Sequence, residues 1–403
     1  MPSDFLTLDD VDVSGKTVFL RGDINSPLDP SSKRILDATR IQALAETLRD
    51  LEEAKVVLGA HQSRPGKYDF TSLEMHAKVL KLYIDNNVKY TGDIIGDKAK
   101  SMIKNLEPGE TLVLNNLRML ECENKKAPAE EVAKTELVQN LYPLFDIVVN
   151  DAFAAAHRNQ ASLVGFSIHL PMVAGRLMEK ELKALNRVID DPVRPCVYLL
   201  GGAKVEDRLP VIRRVLVDDI ADSVLLGGLI REYFHMATGQ MSERLEKLDD
   251  PSLELVKEAK SIMDRYPDKI VLPIDVALDV NGERVEVLVE QITDETNIYD
   301  IGLNTIAHFS EKMKKAGTVV AEGPLGMFER RGFDIGTKEL LKVMASCTGY
   351  TVVGGGHMGG LASMMDIDRK MSHVSTGGGA MLSLLAGQSL PVVEALTEAK
   401  GGI

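Results

Sequence analysis

The stretch Thr17-Val-Phe-Leu-Arg21-Gly-Asp23-Ile-Asn25 sets out the fold in miniature: an apolar run, then an abrupt polar turn that opens on an arginine. The same pattern returns at Cys196-Val-Tyr-Leu-Leu200-Gly-Gly-Ala-Lys204, where the turn opens on glycine instead. Between and beyond them lie Lys55–Leu58, Thr111–Leu114, Asp146–Val149, Ser223–Leu226, Lys269–Leu272, Thr318–Ala321 and Tyr350–Val353. Helical spacing occupies the intervals, as in Arg40–Glu53 and Ser252–Arg265. Near-continuous apolar strands alternating with helices predict parallel sheets covered on both faces. That many strands exceeds one small sheet, so the expected fold is α/β, with two Rossmann-like three-layer α/β/α domains.

The expected division is a first domain over 1–172, a connecting helix over 173–191 and a second domain over 192–390. Ala174, Leu177, Met178, Leu182, Leu185, Val188 and Ile189 recur at helical spacing and define the connecting helix. A last helical stretch, 391–403, opens at Pro391 and is expected to pack back onto the first domain.

Charge narrows the partners. Lys+Arg 47 against Asp+Glu 60 leaves a net −13, a field that repels nucleic acid and anionic membranes. No apolar run approaches the ~18 residues of a membrane helix. The acidic start, Met1–Gly15, lacks the basic and apolar character of a secretory leader. A soluble cytoplasmic protein is expected. Cys122, Cys196 and Cys347 are too sparse for a disulfide framework or a zinc site.

In open parallel sheets, ligands bind beyond the carboxyl ends of the strands. In the first half those ends carry Arg21-Gly-Asp23-Ile24-Asn25, His61-Gln62-Ser63-Arg64, Asn115-Asn-Leu-Arg118 and Asn150-Asp-Ala-Phe-Ala-Ala-Ala-His157-Arg158, with Arg40 opening the helix after the first loop. Guanidinium forks suit carboxylate and phosphate oxygens, so a small polyanion is the expected ligand. In the second half the ends carry glycines: Gly201-Gly202-Ala-Lys204, Gly227-Gly228, Glu322-Gly-Pro-Leu-Gly326, Gly354-Gly355-Gly356-His357 and Ser375-Thr-Gly-Gly-Gly379. Glycine turns at helix starts let backbone N–H groups approach phosphate, which predicts a nucleotide. Arg208, four residues after Lys204, shares its helical face.

The ten stretches RGDINSPLD with DATRI, AHQSRP, NNLR, VNDAFAAAHR, VAGRLMEKELKAL, LLGGAKVEDR, LPIDV, EGPLGMFE, GGGH and HVSTGGGA stand in the order of a known family. The sequence resembles the phosphoglycerate kinases over nearly its full length, and its divergent loops resemble the archaeal branch. The resemblance implies a 3-phosphoglycerate site on Arg21, Asp23, Ile24, Asn25, Arg40, His61, Gln62, Ser63, Arg64, Arg118 and Arg158. It implies an ATP/ADP site on Gly202, Lys204, Arg208, Gly228, Glu329, Gly355, Gly356, His357 and Met358, with Glu329 on the ribose. Arg40, Lys204 and Arg208 become the candidate catalytic groups of a reversible, Mg²⁺-dependent phosphoryl transfer giving 1,3-bisphosphoglycerate. The family is mostly monomeric, so a monomer is expected, with a homodimer as the alternative.

Three departures stand out. His357 replaces the family's usual Asp, Arg208 its second Lys, and Glu322 the Asn of its NGP turn. His357 suits a hard cation poorly, so the magnesium ligands are left open among phosphate oxygens, water and another carboxylate such as Glu322. Two rival functions follow from weaker signals. Gly354-x-Gly356-x-x-Gly359 matches a dinucleotide fingerprint, yet no acid follows between Arg369 and Val393 to hold a ribose, which disfavours an NAD-dependent dehydrogenase. A catalytically silent nucleotide-binding regulator would be expected to lose Arg40 or Lys204, and both are present.

Overall fold

Central strands of a parallel sheet have no face left for water, so apolar runs such as Val18–Leu20 and Val197–Leu200 become the core. The computed structural model describes residues 5–85, 87–292 and 297–399. The chain forms two compact units, Met1–Lys183 with Ser389–Ile403, and Ala184–Gln388.

In the first unit, β1 (Thr17–Arg21), β2 (Lys55–Gly59), β3 (Asn87–Tyr90), β4 (Glu110–Val113), β5 (Ile147–Asn150) and β6 (Met172–Ala174) form one sheet in the order β3-β4-β2-β1-β5-β6. Every pairing is parallel. The helix Thr39–Asp50 turns Ile41, Leu44, Ala45 and Leu48 onto the sheet, at the three- and four-residue spacing of one helical face. Register aligns Arg21 with Gly59 on one side and with Asn150 on the other. Three loops therefore leave the sheet side by side where the strand order reverses, which is where such sheets form a crevice.

In the second unit, β7 (Cys196–Leu200), β8 (Ser223–Leu226), β9 (Ile270–Val271), β13 (Thr318–Glu322), β14 (Tyr350–Gly354) and β15 (His373–Val374) form a sheet in the order β15-β14-β13-β7-β8-β9. Its pairings are also parallel, and Glu322 sits level with both Leu200 and Gly354.

The two parallel sheets are as expected, and the structure adds a third: β10 (Asp275–Val280), β11 (Glu283–Leu288) and β12 (Ile298–Ile301) make a small antiparallel sheet in the order β11-β10-β12. Its hairpin turns on Asn281 and Gly282, both at positive φ (54° and 89°), the geometry for which Asn-Gly is favoured.

One expectation needs correction, the connecting helix over 173–191. Met172–Ala174 instead pair with β5 as an edge strand, and the helix begins at Arg176 and ends at Asp190. A short apolar triplet such as Met172-Val-Ala174 fits either period. Here the open edge of β5 decides, since pairing satisfies backbone groups that would otherwise be buried unbonded. Met178, Leu182, Leu185 and Val188 of the helix are buried, and the boundary between the units falls within it, after Lys183.

The helix Pro391–Ala399 lies against β6, with the Val392 N–H donating to the Ala156 carbonyl at 3.3 Å. Positions 400–403 of the expected helix lie outside the described residues. Burial pushes the Cys196 thiol up to about 12, which makes it a packing residue and not a nucleophile. Among the described residues no helix is long and apolar enough to cross a membrane.

Candidate active site

The loop after β1 turns its residues two ways. Asp23 and Asn25 face the rim. Asp23 takes Arg40 in an ion pair at 2.7 Å and accepts the Asn25 N–H at 3.1 Å, while Asn25 accepts the Ser63 N–H at 2.9 Å. Burial pushes the Asp23 carboxyl up, but Arg40, the Asn25 amide and Arg21 outweigh it and hold it below the usual carboxylate range. The Arg40 side chain is one-third exposed, which leaves guanidinium N–H groups for a ligand.

Arg118, Arg158 and Arg64 gather around the same rim. Burial lowers the pKa of Arg118 first, and the positive fields of Arg158 and Arg64 lower it further. Arg158 is lowered chiefly by burial, with Asp23 opposing and Arg64 and Arg40 adding to the shift. Arg118 also donates to the Ser63 carbonyl. Asp23 relieves part of the repulsion among these four cations, and the positive charge left over attracts an anion to the rim.

Four residues expected on the substrate prove to face inward. Ile24 is buried in the apolar core, 1 % exposed. Gln62 is fully buried and holds loops together, accepting the Ser26 N–H at 3.0 Å and donating to the Ser26 carbonyl at 3.0 Å. Arg21 is 1 % exposed, with Nε donating to Ser162 Oγ at 2.8 Å and Nη2 2.9 Å from His61 Nδ1. His61 in turn meets Glu123 Oε1 through Nε2 at 2.6 Å. The carboxylate can only accept, so His61 carries its proton on Nε2 and accepts from Arg21 at Nδ1. Burial and the Arg21 charge pull the His61 pKa down to about 4, against Glu123, so the ring is neutral at pH 7. These side chains hold the floor beneath the rim. Reading the sequence missed Glu123 and Ser162, which no local motif marks.

The second cluster is a cavity of about 900 Å³ at the carboxyl ends of β7, β8, β13 and β14. Gly202, Lys204, Arg208, Gly228, Glu329, Gly355, Gly356, His357 and Met358 all line it, with Gly378 and Gly379. At Gly228, φ is +54° and a Cβ would stand 2.3 Å from the Gly202 nitrogen, so only glycine lets these two turns pack. Gly355, at φ +84°, precedes the helix Gly356–Met364 and puts no Cβ over its N-terminal N–H groups. The Lys204 side chain is 72 % exposed and only loosely held, 3.9 Å from Asp207.

Arg208 behaves differently. Its side chain is 8 % exposed, and it donates to the Gly201 carbonyl at 2.9 Å and to Glu322 Oε2 at 2.7 Å. Burial pushes the Glu322 carboxyl up to about 7 despite Arg208. Two of the three departures noted in the sequence are thus partners, and Glu322 is spent on a guanidinium. Among the described residues no three His, Cys, Asp or Glu side chains gather to hold a metal ion. Such a cluster is not what magnesium needs, since it is commonly held by one or two carboxylates with phosphate oxygens and water.

A unit with a cationic sheet rim, joined in one chain to a unit with a glycine-lined, helix-capped cavity, defines a phosphotransferase of two α/β domains. The phosphoglycerate kinase family model matches residues 8–388. The phosphoglycerate kinase of Methanococcus maripaludis is 47% identical over 408 residues, covering 98% of each chain. That of Methanobacterium bryantii is 45% identical over 401 residues, again 98% of each. The crystal structure of phosphoglycerate kinase from Pyrococcus horikoshii OT3 superposes with a TM-score of 0.89 at 43% identity, over 99% of this chain and 100% of that one. The chain belongs to the phosphoglycerate kinase family.

Proposed function

We propose that this chain transfers a phosphoryl group reversibly between ATP and the carboxylate of 3-phospho-D-glycerate, giving 1,3-bisphosphoglycerate and ADP, a step of glycolysis and gluconeogenesis. The observation that carries the reading is the division of chemistry between the units. Arg40, Arg64, Arg118 and Arg158 share a rim in the first, and a cavity lined by glycine turns lies in the second. The first unit then binds 3-phosphoglycerate and the second binds the nucleotide.

The acceptor carboxylate is ionised near neutral pH, so the reaction needs no general base. What it needs is two anions brought into line and the charge on the transferring group neutralised. Arg40 supplies a fork to the acceptor side, held in aim by Asp23. Lys204 supplies a mobile point charge to the phosphoryl group, and the N–H groups at the helix starts by Gly356 and Gly378 receive its oxygens. Magnesium enters with the nucleotide as MgATP or MgADP, held by phosphate oxygens and water. Transfer demands that the two ligands meet in line, and the Arg176–Asp190 helix, within which the boundary between the units falls, is the link in the chain between the two binding units. One chain carries every group in this scheme, so a monomer suffices. Membership of the phosphoglycerate kinase family favours a cytoplasmic location.

The test is ATP-dependent formation of 1,3-bisphosphoglycerate from 3-phosphoglycerate, read through a coupled dehydrogenase. Turnover with Mg²⁺ is expected. A full-length, folded chain that turns over nothing overturns the reading.

A further inference from the structure

A buried ion pair placed where a ligand's charge is expected asks for a reason, because breaking it on binding costs affinity. Arg208 and Glu322 are such a pair, 8 % and 6 % exposed at their side chains. Glu322 closes β13 beside the switch in strand order, level with Leu200 and Gly354. Its Oε2 takes Arg208 Nη2 at 2.7 Å. Its Oε1 faces the glycine turns: a Cβ on Gly355 would come 3.1 Å from that oxygen, and one on Gly378 3.8 Å. The carboxylate thus stands between a guanidinium and the N-termini of two helices. That is the setting in which a phosphate is bound, and a carboxylate offers the same anionic oxygens.

We propose that Glu322 occupies Arg208 in place of a nucleotide phosphate, and that nucleotide binding hands the guanidinium from the carboxylate to the phosphate. Glu322 is in this sense a positioning residue. It holds Arg208 folded in and its charge satisfied while the cavity is empty, and the hold lowers nucleotide affinity. Lys204 is exempt, since its side chain is exposed and loosely held. This rests on the nucleotide reading of the cavity. The exchange also separates phosphorylated from unphosphorylated ligands, because only a ligand with phosphate at that depth competes for Arg208.

The experiment is calorimetric titration of the full chain at pH 8.5, where Glu322 is ionised, with MgADP and with adenosine, in the wild type, Glu322→Gln and Glu322→Asp. Gln removes the charge. Asp keeps it but withdraws the carboxylate by one methylene from Arg208. Handover predicts that MgADP binds about 10-fold tighter to Glu322→Gln and at least 3-fold tighter to Glu322→Asp, with adenosine affinity unchanged in both. A gain in Glu322→Gln alone assigns the effect to through-space repulsion and overturns the proposal. So does a gain shared by adenosine, or no gain in either variant. If Glu322→Gln does not fold, Glu322→Asp decides alone, since contact and charge part there. Failure of the wild type to bind MgADP at all is a different result, which overturns the nucleotide reading itself.

Discussion

Replacing Glu123 by Gln should destabilise the first unit by about 3 kcal/mol while leaving its outline intact. Glu123 is fully buried, and its carboxylate accepts from His61 at 2.6 Å and from the Ser162 N–H at 2.9 Å. On the far side of His61 lies Arg21, also buried. Gln keeps the shape and one acceptor but deletes the negative charge, and removing one partner of a buried pair costs about 3–5 kcal/mol. The retained acceptor places the expectation at the lower end. Burial lowers the Arg21 pKa to about 10 with the Glu123 charge opposing the shift; without that charge it falls further, so shedding the proton at pH 7 costs at most roughly 4 kcal/mol, at about 1.36 kcal/mol per unit. The assay is urea denaturation followed by far-UV circular dichroism, the chain having no tryptophan. Hydrogen exchange at β1 and β5 amides assigns the loss to the first unit, since a chain of two units need not unfold in one step. Glu121→Gln, on an 85 % exposed side chain nearby, is the control and should stay within about 0.5 kcal/mol. A Glu123→Gln loss below about 1 kcal/mol would refute the reasoning, for it would mean that Arg21 is compensated elsewhere or reaches water.

Arg40→Ala should lower kcat at least 10²-fold, the scale of losing one charge-stabilising group, with MgADP affinity by calorimetry unchanged. An equal fall in nucleotide affinity would take Arg40 out of the acceptor site. For Lys204→Ala, kcat should fall more than KM rises, and an unchanged kcat removes it from the mechanism. Gly228→Ala should cost about 3 kcal/mol, from about 1–2 for a left-handed backbone and 1–3 for overpacking, because its Cβ meets the Gly202 nitrogen at 2.3 Å. A thermal melt indistinguishable from wild type counts against it. Asp151 is buried, and burial pushes its carboxyl from 3.8 up to about 6 against the Thr47 hydroxyl and the Met178 N–H. A raised folded pKa favours the protonated acid in the native state. The stability it gives is full below about pH 4 and lost as pH rises through 6, about 3 kcal/mol in all. Asp151→Asn should remove that slope from stability measured between pH 4 and 7.5.

The central strands were legible in the sequence because both of their faces are dry. Thr17–Leu20, Cys196–Leu200 and Tyr350–Val353 are apolar at nearly every position, and no solvated helix face has that composition. The edges were not. Asn87–Tyr90 mixes polar with apolar residues and Met172–Ala174 is only three residues long, so neither declares itself, and both become strands because β4 and β5 offer unpaired backbone. The β10–β11 hairpin did leave a local mark in Asn281-Gly282, which a search for parallel runs passes over.

The sequence by itself determined which chemistry lies at the strand ends: cationic forks in the first half, bare amides in the second. Strand length and turn composition are local, and they put those residues at the carboxyl edge whatever the rest of the chain does. Only the tertiary structure decided which of them meet water. Arg40, Arg64, Arg118 and Arg158 face the rim, whereas Arg21, His61 and Gln62 turn inward to partners such as Glu123, Ser162 and Ser26. It decided likewise that Arg208 and Glu322, 114 positions apart, are one buried pair. A buried polar group takes its partner from wherever the packed chain brings one, because leaving it unpaired costs more than any local preference supplies.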